Sequence, residues 1–334
     1  MSAPNESFQA PPPPQPEAKP RAPRPTKLRP FAIAFFIIGL IVLGAGIPKL
    51  VPGGISTGGA LAFFGILLFA FSFIALPVIP DAEPPLPFFA KVTGILFEPS
   101  RVFRNLRAHP HWVGAFAIIA VLSVIYSFAF VKRITPERIV DHITQKVSEM
   151  GPPFTPPPDR IEAMRNDRLS ELKNPIERIG GVVKSVVGLF ILACIAAGFC
   201  LLGILAFGGR INWWQALAVV FYAWLPVVAI QKVLGLVILY LKSPEDLHPI
   251  LNQDTTLQDN LSILFSAADH PVLFVLMSFI GLTWFYFLWL RAKGLRYGGT
   301  RVGSGAAWGV SITIYVLLMV FLTIWTSLFP GFIS

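Results

Sequence analysis

The chain has 334 residues, of which 54% are hydrophobic and 13% charged. A soluble domain carries about 25% charged residues, so half the usual supply of polar surface is missing and a single soluble domain is excluded. Twenty-seven Lys and Arg against 18 Asp and Glu give a net charge of +9, and 29 Phe and 8 Trp complete the composition of a polytopic membrane protein.

Residues 1–30 are a different material. They hold ten prolines, Pro11–Pro14 among them, and five basic residues, Lys19, Arg21, Arg24, Lys27 and Arg29. Such a segment buries too little apolar surface to offset its ordering entropy, and reads as a disordered, partly polyproline-like tail. Its cations suit anionic headgroups. The polar lead is too long for a signal peptide.

At 1.5 Å per residue, about 20 apolar residues cross a hydrocarbon core of roughly 30 Å. Charge-free runs of that order lie at 31–48, 57–79, 112–131, 185–207, 213–231, 271–290 and 306–329. The fold class is therefore all-α, a polytopic helical membrane bundle with seven predicted transmembrane spans. The first two form an N-terminal transmembrane hairpin (31–80), and the other five occupy 112–329. Gly39, Gly44 and Gly46 interrupt the first run. The fifth resumes after Gln231-Lys232 and reaches Leu241, too long for one upright span, and Pro226 is expected to kink it. Gly305-x-x-x-Gly309 reads as a close helix-packing site entering the last span. Cys194 and Cys200 share one apolar run at a spacing that puts them on different faces, and read as small packing residues.

With the N-terminus in the cytoplasm, the segments 1–30, 80–111, 208–212 and 291–305 hold 14 Lys and Arg, and the short outer segments hold two. The long outer loop 132–184 carries ten basic and eight acidic residues; counting it makes the comparison 14 to 12, which decides nothing, and leaving it out makes it 14 to 2. In the cytoplasmic segment 84–111, Ile95, Leu96, Val102, Phe103 and Leu106 share one side and Arg101, Arg104 and Arg107 the other, the pattern of a basic amphipathic helix on an anionic leaflet. In the outer loop, Thr135-Pro136-Glu137 starts one helix that Gly151-Pro152-Pro153 stops. Asp159-x-x-Glu162 reads as the capping box of a second, broken before Pro175. Ser243-Pro244-Glu245-Asp246 opens another short helix in an acidic loop (Glu245, Asp246, Asp254, Asp259, Asp269).

No zinc-protease, nucleophile-elbow, Walker or dinucleotide-binding motif is present. The five histidines lie in loops or at span ends, and His109-Pro110-His111 holds a metal only if partners come from elsewhere. Lys232, beside Gln231, is the one ionisable residue interrupting an apolar run. It either snorkels to the outer boundary or lines a polar cavity between spans. The expectation is no catalytic residue, no cofactor, no metal and no nucleic-acid partner.

Gly94-Ile95-Leu96-Phe97-Glu98-Pro99-Ser100-Arg101-Val102-Phe103, followed by Pro110-His111-Trp112, resembles the entry of the Yip domain, a multi-pass membrane domain named for proteins that interact with Ypt/Rab GTPases. Gln215-Ala216-Leu217-Ala218-Val219-Val220-Phe221-Tyr222-Ala223 with Pro226 resembles its third span, and Asp269 leading to Ile280-Gly281-Leu282 its fourth. The resemblance covers about 92–329. It implies five helical spans, a cytosolic N-terminus and no catalytic residues. The Asp-Leu-Tyr-Gly-Pro motif of the eukaryotic trafficking members is absent, so the chain is more similar to prokaryotic members, and GTPase binding is not carried over. The resulting expectation is a non-enzymatic scaffold in the inner membrane of a prokaryote, with the bilayer and a protein at the cytoplasmic face as partners. Arg101, Arg104 and Arg107 would meet the membrane surface. The alternative is a transporter or channel with a polar site around Pro226, Gln231, Lys232 and Asp269.

Overall fold

Backbone polar groups in lipid must be satisfied within the protein, which leaves helices as the spanning structure for such runs. The computed structural model describes residues 25–80, 82–149, 155–253, 255–267 and 269–328. The tail expected over 1–30 lies outside the described residues up to residue 24, as do Gly151-Pro152-Pro153 and Asp254. Among the described residues there are twelve α-helices and two antiparallel bridges, Arg210 with Thr300 and Asn260 with Gly281.

Among the described residues, six helices are long and apolar enough to cross a membrane: α1 (Arg29–Gly46), α2 (Gly54–Phe71), α5 (Val113–Ile134), α8 (Pro175–Ala206), α9 (Trp213–Leu241) and α12 (Ser304–Leu328). The remaining elements are α3 (Phe88–Phe97), α4 (Pro99–Ala108), α6 (Pro136–Ser148), α7 (Pro158–Lys173), α10 (Pro271–Ser278) and α11 (Leu282–Gly298). The bundle is organised around α9. From Trp214 to Ala223 every residue is buried, and α5, α8 and α11 pack on it. Asn212 and Gln215 start it with a reciprocal capping box. The helix runs unbroken past Pro226 to Leu241, about 43 Å at 1.5 Å per residue, longer than the roughly 30 Å core. α8 is longer still, and its first three turns project beyond the apolar run that begins at residue 185.

The segments expected on the cytoplasmic side meet at one end. Gln215 Nε2 donates to the carbonyl of Arg107 (2.7 Å), Trp214 Nε1 to Ile74 (2.9 Å), and Arg210 and Thr300 exchange backbone bonds. The segments expected outside meet at the other. Arg138 donates to the carbonyls of Pro244, Glu245 and Leu247, and Arg133 to that of Lys242. There α6 and the 242–252 segment share a second small core of Tyr126, Phe130, Ile134, Ile139, Leu239 and Leu247. α7 is tied to α6 by Arg165–Asp141 and Lys173–Glu137 pairs.

Five expectations need correction. The sixth predicted span is no single helix: it breaks at Phe279-Ile280-Gly281 into α10 and α11. The second span ends at Phe71 rather than 79, because residues 74–75 turn their carbonyls to the Trp214 and Asn212 side chains. Gly305 meets nothing within 4 Å and Gly309 touches only the Phe207 ring, so no helices close there; the close seam is α1 on α2. Asp159 lies within the first turn of α7, which Pro157 precedes without a side-chain cap. Thr135 precedes α6 at φ 76° and makes no side-chain cap either.

At the α6 end, His248 accepts the backbone N–H groups of Ile250 (3.2 Å) and Leu251 (3.1 Å) through Nδ1. Burial, then the charges of His142, Lys146 and Arg138, push its pKa down to about 4. The unfolded chain takes up this proton near pH 6.5. The stability that depends on the neutral ring is therefore complete above about pH 6.5, declines as the pH falls toward 4, and then levels off. Discounted for a half-exposed ring, the loss is about 1–2 kcal/mol. Detergent unfolding at pH 7 and pH 4 should show it, and His248→Gln should reduce the difference, leaving the part due to His142 and His111, whose pKa values desolvation also lowers.

Candidate functional site

The break between α10 and α11 exposes the first N–H groups of a helix, which need acceptors inside the protein. The chain supplies them from residues 255–262. Asp259 Oδ2 accepts the N–H of Thr283 at 2.7 Å, the carbonyl of Asp259 accepts that of Leu282 (3.3 Å), and Leu261 N–H donates to Ile280 (3.0 Å). Gly281 lies so close that a Cβ there would stand 2.8 Å from Asn260 Cβ, which is why a glycine occupies the break.

Gln231 joins this network from α9. Its Nε2 donates to Thr283 Oγ1 (3.3 Å), and its backbone carbonyl accepts from Thr255 Oγ1 (3.3 Å). One turn on, Thr256 Oγ1 donates to the carbonyl of Gly235 at 2.6 Å. Gln231 lies eighteen residues after Trp213, and Thr283 fifteen before Gly298, so the network sits roughly 22–27 Å from the α4 end, near the far boundary of the core.

The sequence candidates do not form one site. Lys232 turns away from Gln231, its Nζ 4.7 Å from the Tyr126 ring centroid, and lines a cleft between α5 and α8. Pro226 is buried against an apolar groove shared with Val92, Ile95 and Leu96. Asp269 is exposed beside the start of α10. On α4, Arg101 pairs with Glu98 (3.1 Å), Arg104 lies over the Tyr297 ring, and Arg107 lends its carbonyl to Gln215. The three arginines line a cleft of about 590 Å³ with Pro80 and Glu83. The apolar side of the segment, Ile95, Val102, Phe103 and Leu106, is buried in the main core, whereas Leu96 is exposed.

Two buried cations escaped the sequence reading. Arg291, counted there among cytoplasmic loop charges, is 4% exposed inside the bundle. It donates to the carbonyl of Ser311 (2.5 Å) and lies over the Phe287 ring, while its Nε and Ser311 Oγ have no hydrogen-bond partner. Lys91, 2% exposed, reaches His111 Nδ1 at 3.3 Å. Both were hidden by their neighbourhood to short polar stretches. Asp259 was visible only as one acid in a loop.

Among the described residues, no three His, Cys, Asp or Glu side chains gather as a metal site. The network around Asp259 is made of hydrogen bonds that hold a broken helix open. No curated protein and no solved structure matches the chain. The sequence profile of the Yip1 domain matches residues 93–326, which takes in α4 through most of α12, the Gln215–Pro226 stretch at the centre of the bundle, and both halves of the broken helix. The chain is a multi-pass membrane protein that belongs to the Yip1 domain family.

Proposed function

We propose that the protein is a non-enzymatic membrane scaffold that recruits an acidic protein segment at its α4 face. The observation that carries this reading is the arginine cleft. Arg101 and Arg104 are exposed, Arg107 lines the same hollow, and among the described residues Glu83 is the one carboxylate on its wall. Because the apolar side of α4 is already buried in the bundle, the arginines are presented by a rigid support rather than by a helix floating on lipid. Rigid presentation favours specific recognition. The proposed architecture is a tail (1–30), a hairpin (31–80), the segment 84–111 and a five-span domain (112–329). We place the N-terminus and the arginine cleft in the cytoplasm of a prokaryotic cell by the distribution of Lys and Arg.

A photo-crosslinking residue at position 101 in native membranes should yield a discrete protein adduct that Arg104→Glu and Arg107→Glu abolish. Crosslinks to lipid alone would reduce the three arginines to membrane-surface anchors. Robust substrate turnover by the purified protein would sink the non-enzymatic part. For orientation, an impermeant maleimide should label Thr155→Cys from outside the cell.

A second reading is favoured by one observation, the broken helix. Discontinuous helices near polar side chains are the construction used in transporter sites, and here Gln231, Thr283 and Asp259 surround one. Asp269, exposed, and Pro226, facing an apolar groove, would be peripheral to it. Absent liposome flux, or flux unchanged by Lys232→Ala and Gln231→Ala, would remove this reading.

A further inference from the structure

α5 and α8 touch near the α4 end, where the Phe116 and Phe190 rings lie 5.6 Å apart, and part toward the α6–α7 end. The space between them is a cleft of about 570 Å³. Its lower walls are apolar: Ala120, Val124, Leu189 and Leu192. Its rim is charged: among the described residues, Arg168, Arg178, Lys184 and Lys232 stand with one carboxylate, Glu171. Glu171 accepts from both Lys184 (2.6 Å) and Arg168 (2.8 Å), so it is already shared. Arg178 lies 3.9 Å over the Phe128 ring, at the level where the cleft opens. Between rim and floor come three hydroxyls, Ser123, Ser127 and Ser185.

We infer that this cleft holds one anionic phospholipid, its phosphate at the Arg178–Lys184–Lys232 rim and one acyl chain between α5 and α8. From Arg178 to Leu192 the cleft runs fourteen residues, about 21 Å. The volume lies within the 300–1,000 Å³ of ordinary ligand sites. The order of groups along the cleft, cations, then hydroxyls, then hydrocarbon, matches phosphate, glycerol esters and chain. Among the described rim residues Arg168, Arg178 and Lys184 outnumber Glu171, which favours an anionic headgroup over a zwitterionic one.

Gly188 supplies the test. It lines the cleft, and a Cβ placed on it meets nothing within 4 Å, so Gly188→Trp fills the space without forcing the helices apart. Native mass spectrometry of the detergent-purified full chain, titrated with phosphatidylglycerol or with phosphatidylcholine, should show one phosphatidylglycerol retained in preference. Gly188→Trp should lose it at unchanged helicity. Arg178→Gln should keep the fold and lower the preference about fivefold, the effect of one cation near a membrane surface. Equal retention of the two lipids overturns the inference. So does retention of phosphatidylglycerol by Gly188→Trp, or occupation of the wild-type cleft by a second copy of the chain.

Discussion

Gly58→Leu should abolish the packing of α1 on α2, with a loss of at least about 3 kcal/mol, the upper range for overpacked sites. A Cβ at Gly58 would stand 2.3 Å from the backbone nitrogen of Leu43 and 2.6 Å from the carbonyl oxygen of Gly39. Those atoms belong to a helix backbone and have no rotamer by which to move. The same holds along the whole seam: Gly39 against Ala62 (2.3 Å), Gly46 against Ile55 (2.4 Å), Gly65 against Phe36 (2.6 Å). A side chain at any of them separates the two helices over their length. In lipid no hydrophobic term drives helices together, so close van der Waals contact is what holds the pair. The seam matters beyond the hairpin, since α2 carries Phe64 onto Phe190 of α8 (5.1 Å) and Thr57 onto Gly180. Gly44→Leu and Gly59→Leu are the controls, because a Cβ at either position meets nothing within 4 Å. Unfolding in mixed micelles should separate Gly58→Leu from both controls. If all three variants unfold alike, the glycine seam does not hold the hairpin.

How much of this was legible in the chain depends on what each feature needs. Span existence needs only length and apolarity, and α1, α5, α8, α9 and α12 follow from it. The capping box at Asn212 was legible too, yet passed unread beside two tryptophans. The break at Gly281 was not legible, because Phe279 and Ile280 are as apolar as their neighbours. Its cause lies about twenty residues earlier, in the Asp259 and Asn260 that pair with it. Glycines posed a similar problem. The motif at Gly305 and Gly309 has the spacing of a close contact, while the contact is made by Gly39, Gly46, Gly54, Gly58 and Gly65, whose partners are backbone atoms of another helix. Local spacing states which residues share a face; it does not state what that face meets. The same limit applies to α4, whose amphipathic pattern was legible but whose apolar side meets the bundle core. At the candidate site, Gln231 and Lys232 stood out as the polar interruption of α9, and their divergence, one toward Thr283 and one toward Tyr126, is a matter of helix rotation.

Asp259→Ala should destabilise the junction of α10 and α11 by about 2 kcal/mol, within the range for a hydrogen bond to a charged group. Three terms act together at this one carboxylate. It accepts the Thr283 N–H at 2.7 Å, and Thr283 is 7% exposed, so the orphaned donor would find little water. It places negative charge at the N-terminus of the seventeen-residue helix α11, where the helix dipole favours it by about 0.3–1 kcal/mol. It also fixes residue 259, whose own carbonyl accepts Leu282 and whose neighbour Asn260 pairs with Gly281. Asp259→Asn separates these terms. It keeps an acceptor and the loop geometry while removing the charge, and should fall about midway between wild type and alanine. Asp269→Ala is the contrasting acid: exposed beside α10, it should shift stability by no more than about 0.5 kcal/mol. Hydrogen exchange of the Thr283 amide reports the local event directly, accelerating in Asp259→Ala, less in Asp259→Asn, and not at all in Asp269→Ala. If the two Asp259 variants accelerate equally, the neutral acceptor contributes nothing and the charge carries the cap; if Asp259→Asn matches wild type, the cap acts by hydrogen bonding alone. If neither does, the break is held by Gly281 and its backbone pairs, and Asp259 is a bystander to the opening on which the transport reading rests.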